Sequence, residues 1–310
     1  MIKLSQWDVI RFLNLLKNWN LVLMTNLNNE LESNGYVPDA ALTTTLELME
    51  NLDRPLLIEG DAGVGKTSIA ITLARIHECE LIRLQCYENL DVQSSVYEWN
   101  YSKQLLWINS QNNQKTERDI NHIFSQDFLL ERPLLKAIRQ KKPPILLIDE
   151  IDRADEAFEA FLLELLSEFQ ISIPELGTIK AESIPRVIIT SNGTRELSDA
   201  LRRRCLYHYL EYPDSDREFL IIEQAVPNIN KKLNRQIVDF IQALRAQDLR
   251  KNPGIAETLD WSAALIGMGV KDLIESKELI SKTLSCLLKT QEDCELINNK
   301  TLEKLFHTAS

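Results

Sequence analysis

The sequence predicts an α/β domain with a mainly parallel sheet, followed by a smaller all-helical domain. Short apolar runs alternate with helical patterns from Pro55 to Leu210, as they do in βαβ units. The run Ile145–Ile148 is continuously apolar, which is typical of a parallel strand buried on both faces. After Pro213 the strand signal fades and only helical patterns remain.

The individual elements follow from the same patterns. Pro38 and Asp39 have the character of a helix start, and Leu42, Leu46 and Met49 then lie on one helical face. We expect strands at 56–58, 81–84, 144–148, 187–190 and 206–210, a hairpin at 171–180, and helices at 68–77, 158–169, 217–225, 237–249, 255–265 and 279–288. The chain should therefore divide into an N-terminal helical extension (1–32), an α/β core (33–212) and a helical domain (213–310).

Composition excludes several classes of protein. The 310 residues include 35 Lys and Arg against 46 Asp and Glu, a formal net charge of −11. Such an acidic chain is a poor general binder of nucleic acid, because phosphate contacts need Lys and Arg. No stretch is long and apolar enough to span a membrane, and residues 1–25 lack the features of a secretory signal. We expect a cytoplasmic protein with no nucleic-acid or membrane partner.

Cysteine and histidine spacing gives no metal-site or disulfide pattern. The chain has five cysteines and four histidines, all widely scattered, and no CxxC pair. Zinc motifs and disulfide frameworks need closer, regular spacing. The sequence therefore predicts reduced thiols and no bound zinc, iron or copper.

The strongest motif is a glycine-rich stretch between a predicted strand and a predicted helix, and it fits G-x-x-x-x-G-K-S/T. Its glycines let backbone N–H groups approach a phosphate chain, and the helix N-terminus adds a positive dipole end. Lys66 offers a cation to the β- and γ-phosphates, and the Thr67 hydroxyl offers a ligand to Mg²⁺. Asp61 is unusual here and is tolerable if its side chain points to solvent. The residues expected to bind the nucleotide are Gly60, Asp61, Ala62, Gly63, Val64, Gly65, Lys66, Thr67 and Ser68.

Two acids follow the apolar run that predicts the central strand. Asp149 and Glu150 should lie at the carboxyl edge of the sheet, where open α/β sheets bind ligands. Asp149 is a candidate Mg²⁺ ligand, and Glu150 is a candidate base that orients and deprotonates the attacking water. A strand that simply ends in two solvated acids is the alternative, but the nearby phosphate loop favours hydrolysis.

Two further groups have a functional and a structural interpretation. Asn192 follows the apolar run Val187–Thr190, and its amide can position water or the γ-phosphate, although Asn is also common in turns. Arg202, Arg203 and Arg204 form a cationic run in an acidic chain. One of them can neutralise charge on a γ-phosphate held by a neighbouring subunit. The alternative is a salt-bridged helix end facing acids such as Glu211, which is the preferred interpretation for Arg202 and Arg203.

These elements, in this order, resemble AAA+ ATPases, and most closely the MoxR branch of the CoxD kind, over residues 36–265. The stretches that carry the resemblance are Leu84–Glu88, Tyr97–Tyr101, Asp149–Asp155, Glu196–Cys205 and Ala256–Trp261. The resemblance implies an AAA+ core with a helical lid, and ring assembly, commonly as hexamers. It also implies a chaperone role with a von Willebrand factor A partner, in maturing metalloenzymes or assembling complexes.

The resemblance also implies roles for particular residues. Lys66 and Thr67 match the first Walker motif, Asp149 and Glu150 the second, and Asn192 the sensor-one position. Arg204 matches the arginine finger that acts in trans, and the hairpin at 171–180 matches the one that faces the pore. The chain departs from the pattern where many lids carry a sensor-two Arg, since Ala256 followed by Glu257 stands there; Arg250 and Lys251 are the nearby cations.

Two other functions stay open on the sequence alone. A DNA-acting motor of the same class is disfavoured by the net charge of −11 and by the lack of a DNA-binding module. A nucleotide switch that does not hydrolyse ATP is disfavoured by Glu150. The client protein is not encoded in any motif, and a metalloenzyme of the carbon monoxide dehydrogenase type is the expectation that the resemblance gives.

Overall fold

The computed structural model describes residues 24–110 and 122–308, so most of the helical extension predicted at 1–32 lies outside the described residues. The chain divides into two compact units. The first contains the described residues up to Glu30, residues 39–59, and residues 70–208 with the gap at 111–121. The second contains residues 31–38, 60–69 and the described residues from Tyr209 onward.

A five-stranded sheet forms the centre of the first unit, with strand order β2-β5-β8-β1-β9. Neighbours β2/β5, β5/β8 and β8/β1 are parallel, which confirms the predicted α/β class. The strands are β1 (Leu56–Glu59), β2 (Leu81–Gln85), β5 (Ile145–Asp149), β8 (Arg186–Ser191) and β9 (Leu206–Tyr209).

The interior position of β5 in the sheet explains its continuous apolar run. All five of its residues are buried. Leu147 lies opposite Arg83 of β2 on one side and Ile188 of β8 on the other. A strand with neighbours on both edges and helices on both faces leaves no surface for polar side chains. The same argument accounts for the buried residues Val187–Ser191 in β8.

Two long helices of the first unit begin after an aspartate that caps them. Asp39 accepts a hydrogen bond from the Leu42 N–H at 2.6 Å, and Asp155 accepts one from the Phe158 N–H at 2.8 Å. A carboxylate at this position satisfies a backbone donor that the helix leaves unpaired. The helices are α1 (Met24–Ser33, which continues into the second unit), α2 (Ala40–Leu52), α3 (Lys66–Ile76, which begins in the second unit), α4 (Val92–Val96), α5 (Tyr101–Ser110), α6 (Pro133–Ile138), α7 (Glu156–Glu168) and α8 (Asp199–Arg204).

Two small antiparallel sheets complete the first unit. β6 (Gln170–Ile173) pairs with β7 (Gly177–Lys180), which confirms the hairpin predicted at 171–180. β3 (Tyr97–Trp99) pairs with β4 (Leu129–Glu131), and neither was predicted. Each has only three residues, too few for an alternating pattern to be recognised.

Helices make up the part of the second unit that follows Pro213. Trp261 lies fully buried in its core, where the indole N–H donates to the Thr283 hydroxyl at 2.9 Å. Among residues 24–110 and 122–308, no helix combines the length and apolar character needed to cross a bilayer. The helices are α9 (Ser215–Ala225), α10 (Lys231–Arg245), α11 (Ile255–Gly267), α12 (Lys277–Thr283), α13 (Gln291–Leu296) and α14 (Asn299–Thr308).

Candidate functional site

The carboxyl edge of the sheet gathers the predicted acidic pair in the first unit. Parallel pairing places the ends of β5 and β8 side by side, so Asp149 and Glu150 meet Thr190. The buried Thr190 hydroxyl donates to Asp149 Oδ1 and accepts from the Glu150 N–H at 2.9 Å. One hydroxyl thus fixes both the first carboxylate and the backbone that carries the second.

β2 supplies polar neighbours that the sequence did not identify as site residues. Arg83 donates to Asp149 Oδ2 at 2.5 Å, and Gln85 donates to Glu150 Oε2 at 3.1 Å. Arg153 reaches the same Glu150 oxygen at 2.8 Å. Arg83 and Gln85 alternate with buried Ile82 and Leu84. That alternation is the sequence signal from which Arg83 and Gln85 could have been identified, once the pairing of β2 with β5 was known.

Glu150 leaves the strand through an unusual backbone conformation. Its φ is 55°, in the left-handed region that non-glycine residues seldom adopt. The turn ends β5 at Asp149 and aims the next side chain along the sheet edge towards Gln85. Strain of this kind costs about 1–3 kcal/mol and is concentrated at functional sites.

Asn192 is held by a buried carboxylate from the loop after β5. Its backbone N–H donates to Asp152 Oδ1 at 3.2 Å, and the Thr194 hydroxyl donates to Oδ2 at 2.6 Å. Burial alone would raise the pKa of Asp152, but the hydrogen bonds from Thr194 and Asn192 outweigh it and lower that pKa. Asp152 therefore stays ionised and fixes the turn that carries Asn192.

The predicted phosphate loop belongs to the second unit. Lys66 is 7% exposed, and its ammonium donates to the carbonyls of Gly60 at 2.6 Å and Asp61 at 2.7 Å. Gly63 and Gly65 have φ values of 81° and 101°, which favour glycine. Since α3 begins at Lys66, the loop leads directly into a helix N-terminus.

The start of α11 lies directly on this loop. The Ile255 N–H donates to the Gly63 carbonyl at 2.8 Å. A Cβ on Gly254 would lie 2.7 Å from the Gly63 Cα, so only glycine allows this approach. Glu257 caps the helix by accepting from the Gly254 N–H at 3.0 Å. The start of α11 thus contacts the loop through backbone atoms, at the position where the resemblance leads one to look for a sensor-two Arg.

The two nearby cations, Arg250 and Lys251, lie in a segment that bonds acids close to the end of the described chain. Arg250 Nη1 lies 2.9 Å from Glu292 Oε1, on an exposed surface. Asp293 accepts from the backbone N–H groups of Arg250 and Lys251 at 2.7 and 3.3 Å. The segment before α11 is therefore anchored to the end of the second unit.

Asp61 is exposed and accepts a hydrogen bond from Tyr212. Burial, followed by the charge of Asp61, raises the pKa of Tyr212 to about 12. The phenol is therefore a permanent donor near neutral pH. Arg245 lies over the Tyr212 ring at 4.7 Å and binds Glu218 through two nitrogens at 2.7 and 2.9 Å. The buried ion pair thus holds the Arg245 guanidinium against the Tyr212 ring, whose hydroxyl bonds Asp61 of the loop.

The three consecutive arginines of α8 have different surroundings. Arg202 lies 3.4 Å from Glu59, so an acid does pair with this run, although it is Glu59 and not the expected Glu211. Arg54 donates to the carbonyls of Arg203 at 2.8 Å and Arg204 at 3.3 Å. The Arg204 side chain is exposed and bonds Ser167, beside a surface cavity of about 340 Å³.

A family model described as AAA domain (dynein-related subfamily) matches residues 55–205. These residues form an AAA+ domain with the P-loop fold. The chain is also similar to uncharacterized staphylococcal proteins. One from Staphylococcus haemolyticus is 26% identical over 277 residues, covering 86% of this chain and 97% of that protein. One from Staphylococcus epidermidis is 25% identical over 256 residues, covering 80% and 89%.

A RuvB variant of Thermotoga maritima is similar in structure, with a TM-score of 0.44 and 17% identity. The alignment covers 79% of this chain and 66% of that one. A likeness of this size adds nothing to the AAA+ assignment, which rests on the family match and the observed sheet order. The narrower MoxR assignment stays a prediction.

The contact between α11 and the loop can be tested by substituting Gly254. Gly254→Ala should lower the free energy of unfolding by about 1–3 kcal/mol, because the new Cβ meets the Gly63 backbone. It should also weaken nucleotide binding by displacing Gly63. Urea denaturation and a fluorescent-nucleotide titration measure the two effects.

Gly267→Ala is the matched control, since a Cβ there meets nothing within 4 Å. It should stabilise the protein by up to about 1 kcal/mol, because alanine favours helices more than glycine does. Equal behaviour of the two variants would mean that the close approach of Gly254 to Gly63 does not matter in solution.

Proposed function

We propose that this AAA+ protein binds and hydrolyses ATP and uses the energy to remodel a partner protein. One observation carries the proposal. Asp149 and Glu150, at the edge of a parallel sheet, are held by a shared contact to buried Thr190. A carboxylate that is simply solvated at the end of a strand would not need a hydrogen bond from a buried hydroxyl to hold it in place.

In this proposal the backbone N–H groups of Gly60 to Ser68 surround the phosphates, and Lys66 moves from its carbonyl partners to the β- and γ-phosphates. Thr67 and Asp149 would hold Mg²⁺. Their hydroxyl and carboxylate oxygens fit this ion, which takes one or two protein oxygens together with substrate phosphates and water. When bound, Mg²⁺ neutralises charge on the phosphates.

Glu150 and Asn192 act on the attacking water. Glu150 accepts the water's proton, while Gln85 and Arg153, both on its Oε2, hold the carboxylate in place. Asn192 orients the water or the γ-phosphate through its amide, which both donates and accepts. Asp152 supports this role, because it holds the Asn192 backbone.

The wider role follows from the resemblance to the MoxR branch. The protein would form a ring, commonly of six subunits, and would work with a partner that carries a von Willebrand factor A domain. The client would be a protein complex, with a metalloenzyme of the carbon monoxide dehydrogenase type as the first candidate. Copurification of the tagged full chain with its genomic neighbours tests these partners directly.

Nucleotide binding is tested by Lys66→Ala. The loss of one charged hydrogen-bond donor to phosphate should weaken ATP binding about ten- to a hundredfold. The exposed Lys141 is the control, since Lys141→Ala removes the same charge outside the loop. Calorimetric titration with a non-hydrolysable ATP analogue measures both affinities. Equal affinities would remove Lys66 from the phosphate site.

The competing functions separate in two assays. Phosphate release that requires ATP and stops with EDTA supports hydrolysis, whereas tight nucleotide binding without release indicates a switch. A salt-sensitive shift of duplex DNA by the purified protein would favour the DNA motor.

A further inference from the structure

A second cavity, of about 400 Å³, lies in the first unit, and none of its lining residues belongs to the strand edge described above. Most of its wall consists of three aromatic and three acidic side chains, and among the residues that the structure describes no Lys or Arg lines it. The aromatic residues are Tyr97, Trp99 and Tyr101, and the acidic ones are Asp91, Glu98 and Glu175.

Two separate segments of the chain, residues 91–101 and the turn at Glu175, bring these side chains together. Asp91 precedes α4 and accepts from the Ser94 N–H at 2.5 Å. Tyr97 and Trp99 lie in β3 with their rings edge to face, 5.8 Å between centroids. Tyr101 begins α5, and Glu175 lies in the turn between β6 and β7. Because elements distant in the chain converge here, the arrangement is a property of the fold and not of one loop.

The cavity carries negative charge that the described residues only partly neutralise. Glu98 forms an ion pair with Arg132 of the segment after β4. Among the described residues, neither Asp91 nor Glu175 takes part in an ion pair. Burial, followed by the charge of Glu175, raises the pKa of Tyr97.

We propose that this cavity binds an arginine side chain carried by an extended segment of a partner protein. Aromatic faces attract a cation that lies within about 6 Å, and carboxylates at the rim add charge complementarity. A guanidinium suits both, because it stacks flat on aromatic rings and pairs with carboxylates through two N–H groups. An ammonium offers only a compact charge.

The surroundings favour a polypeptide over a small free cation. Tyr101 and Leu105 lie one turn apart on α5, and they are 62% and 59% exposed. Side chains four residues apart share one face of a helix, so apolar surface continues from the cavity along α5. A segment with an apolar residue beside its arginine would cover both. Binding itself needs no nucleotide; only the interpretation of the segment as part of a client rests on the proposed function.

The test uses the full chain without nucleotide and a fluorescein-labelled ten-residue peptide of alternating Arg and Leu. The same peptide with citrulline in place of Arg keeps the shape and loses the charge. Fluorescence anisotropy should show at least about tenfold tighter binding of the arginine peptide, from several charge and cation–π contacts. Equal binding of the citrulline peptide would overturn the proposal.

Variants connect the binding to this cavity. Asp91→Asn combined with Glu175→Gln should weaken binding of the arginine peptide about tenfold, from two partly exposed charges. Asn at position 91 keeps the helix cap. Glu168→Gln combined with Glu182→Gln is the control, because it removes two exposed acids that do not line the cavity. Equal losses of affinity in both double variants would mean that the peptide is attracted by the general negative charge of the protein, and would overturn the assignment to this cavity.

Two further outcomes are decisive. Competition by spermidine at the peptide's own concentration would assign the cavity to a polyamine and overturn the partner segment. Phosphate release, measured on the same proteins, separates this proposal from the proposed function. Peptide binding without ATP hydrolysis leaves the cavity site standing and removes the ATPase, and hydrolysis without peptide binding does the reverse.

Discussion

Replacing Glu150 by Gln should leave ATP binding intact and reduce hydrolysis about 10²- to 10⁴-fold. A glutamine amide keeps the size of the side chain but cannot accept the proton of the attacking water, and general base catalysis contributes a factor of this size. The amide oxygen can still accept from Gln85 at the strand edge. Nucleotide titration and a phosphate-release assay with Mg²⁺ measure the two properties separately.

Glu182→Gln is the matched control for this change, since Glu182 is an exposed acid of the first unit outside the site. It should hydrolyse ATP like the parent. If the Glu150→Gln protein also turns over at the parent rate, Glu150 is not the base. If the Glu150→Gln protein fails to bind ATP, Glu150 is needed for nucleotide binding, and its assignment as a base that acts only in hydrolysis is wrong.

Much of the fold was predictable because its strands are buried on both faces. The runs Ile145–Ile148 and Val187–Ile189 are apolar throughout and are followed by polar residues only at their carboxyl ends, so the sequence pattern alone marks them. α10 was predicted to begin at Ile237 but begins at Lys231, capped by Asn230. Its first turn is mostly polar, and periodicity is visible only where a helix carries an apolar stripe.

The site was predictable only in part, because the sequence does not show which strands pair or in which register. Asp149 and Glu150 follow directly from the end of β5. Their partners Arg83 and Thr190 come from β2 and β8, and only the observed register of the three strands brings them together. A strand of three residues such as β3 is too short to show an alternating pattern, which is why the aromatic cavity was not anticipated.

The position of Arg204 in the first unit argues that it serves another subunit. Arg54, which lies just before β1, donates to the carbonyls of Arg204 and Cys205. Arg204 thus lies near the edge where β1 begins, whereas Asp149 and Glu150 lie at the edge where the parallel strands end. The four residues of β1 separate these edges by about 13 Å at ~3.3 Å per residue.

Arg204→Ala should therefore bind ATP normally and hydrolyse it about 10³- to 10⁵-fold more slowly, as expected when an arginine finger is lost. This corresponds to about 4–7 kcal/mol of barrier. Arg203→Ala is the control, because it removes a neighbouring exposed cation from the same helix. It should retain most of the parent activity.

Mixing distinguishes a shared site from a defect within one subunit. Lys66→Ala and Arg204→Ala proteins, each inactive alone, should recover activity together, because some interfaces then combine an intact loop with an intact finger. Hydrolysis by the parent should also rise faster than linearly with protein concentration while rings assemble. A strictly linear rate over that range, with no recovery on mixing, would leave Arg204 as a surface side chain that bonds Ser167 and nothing more.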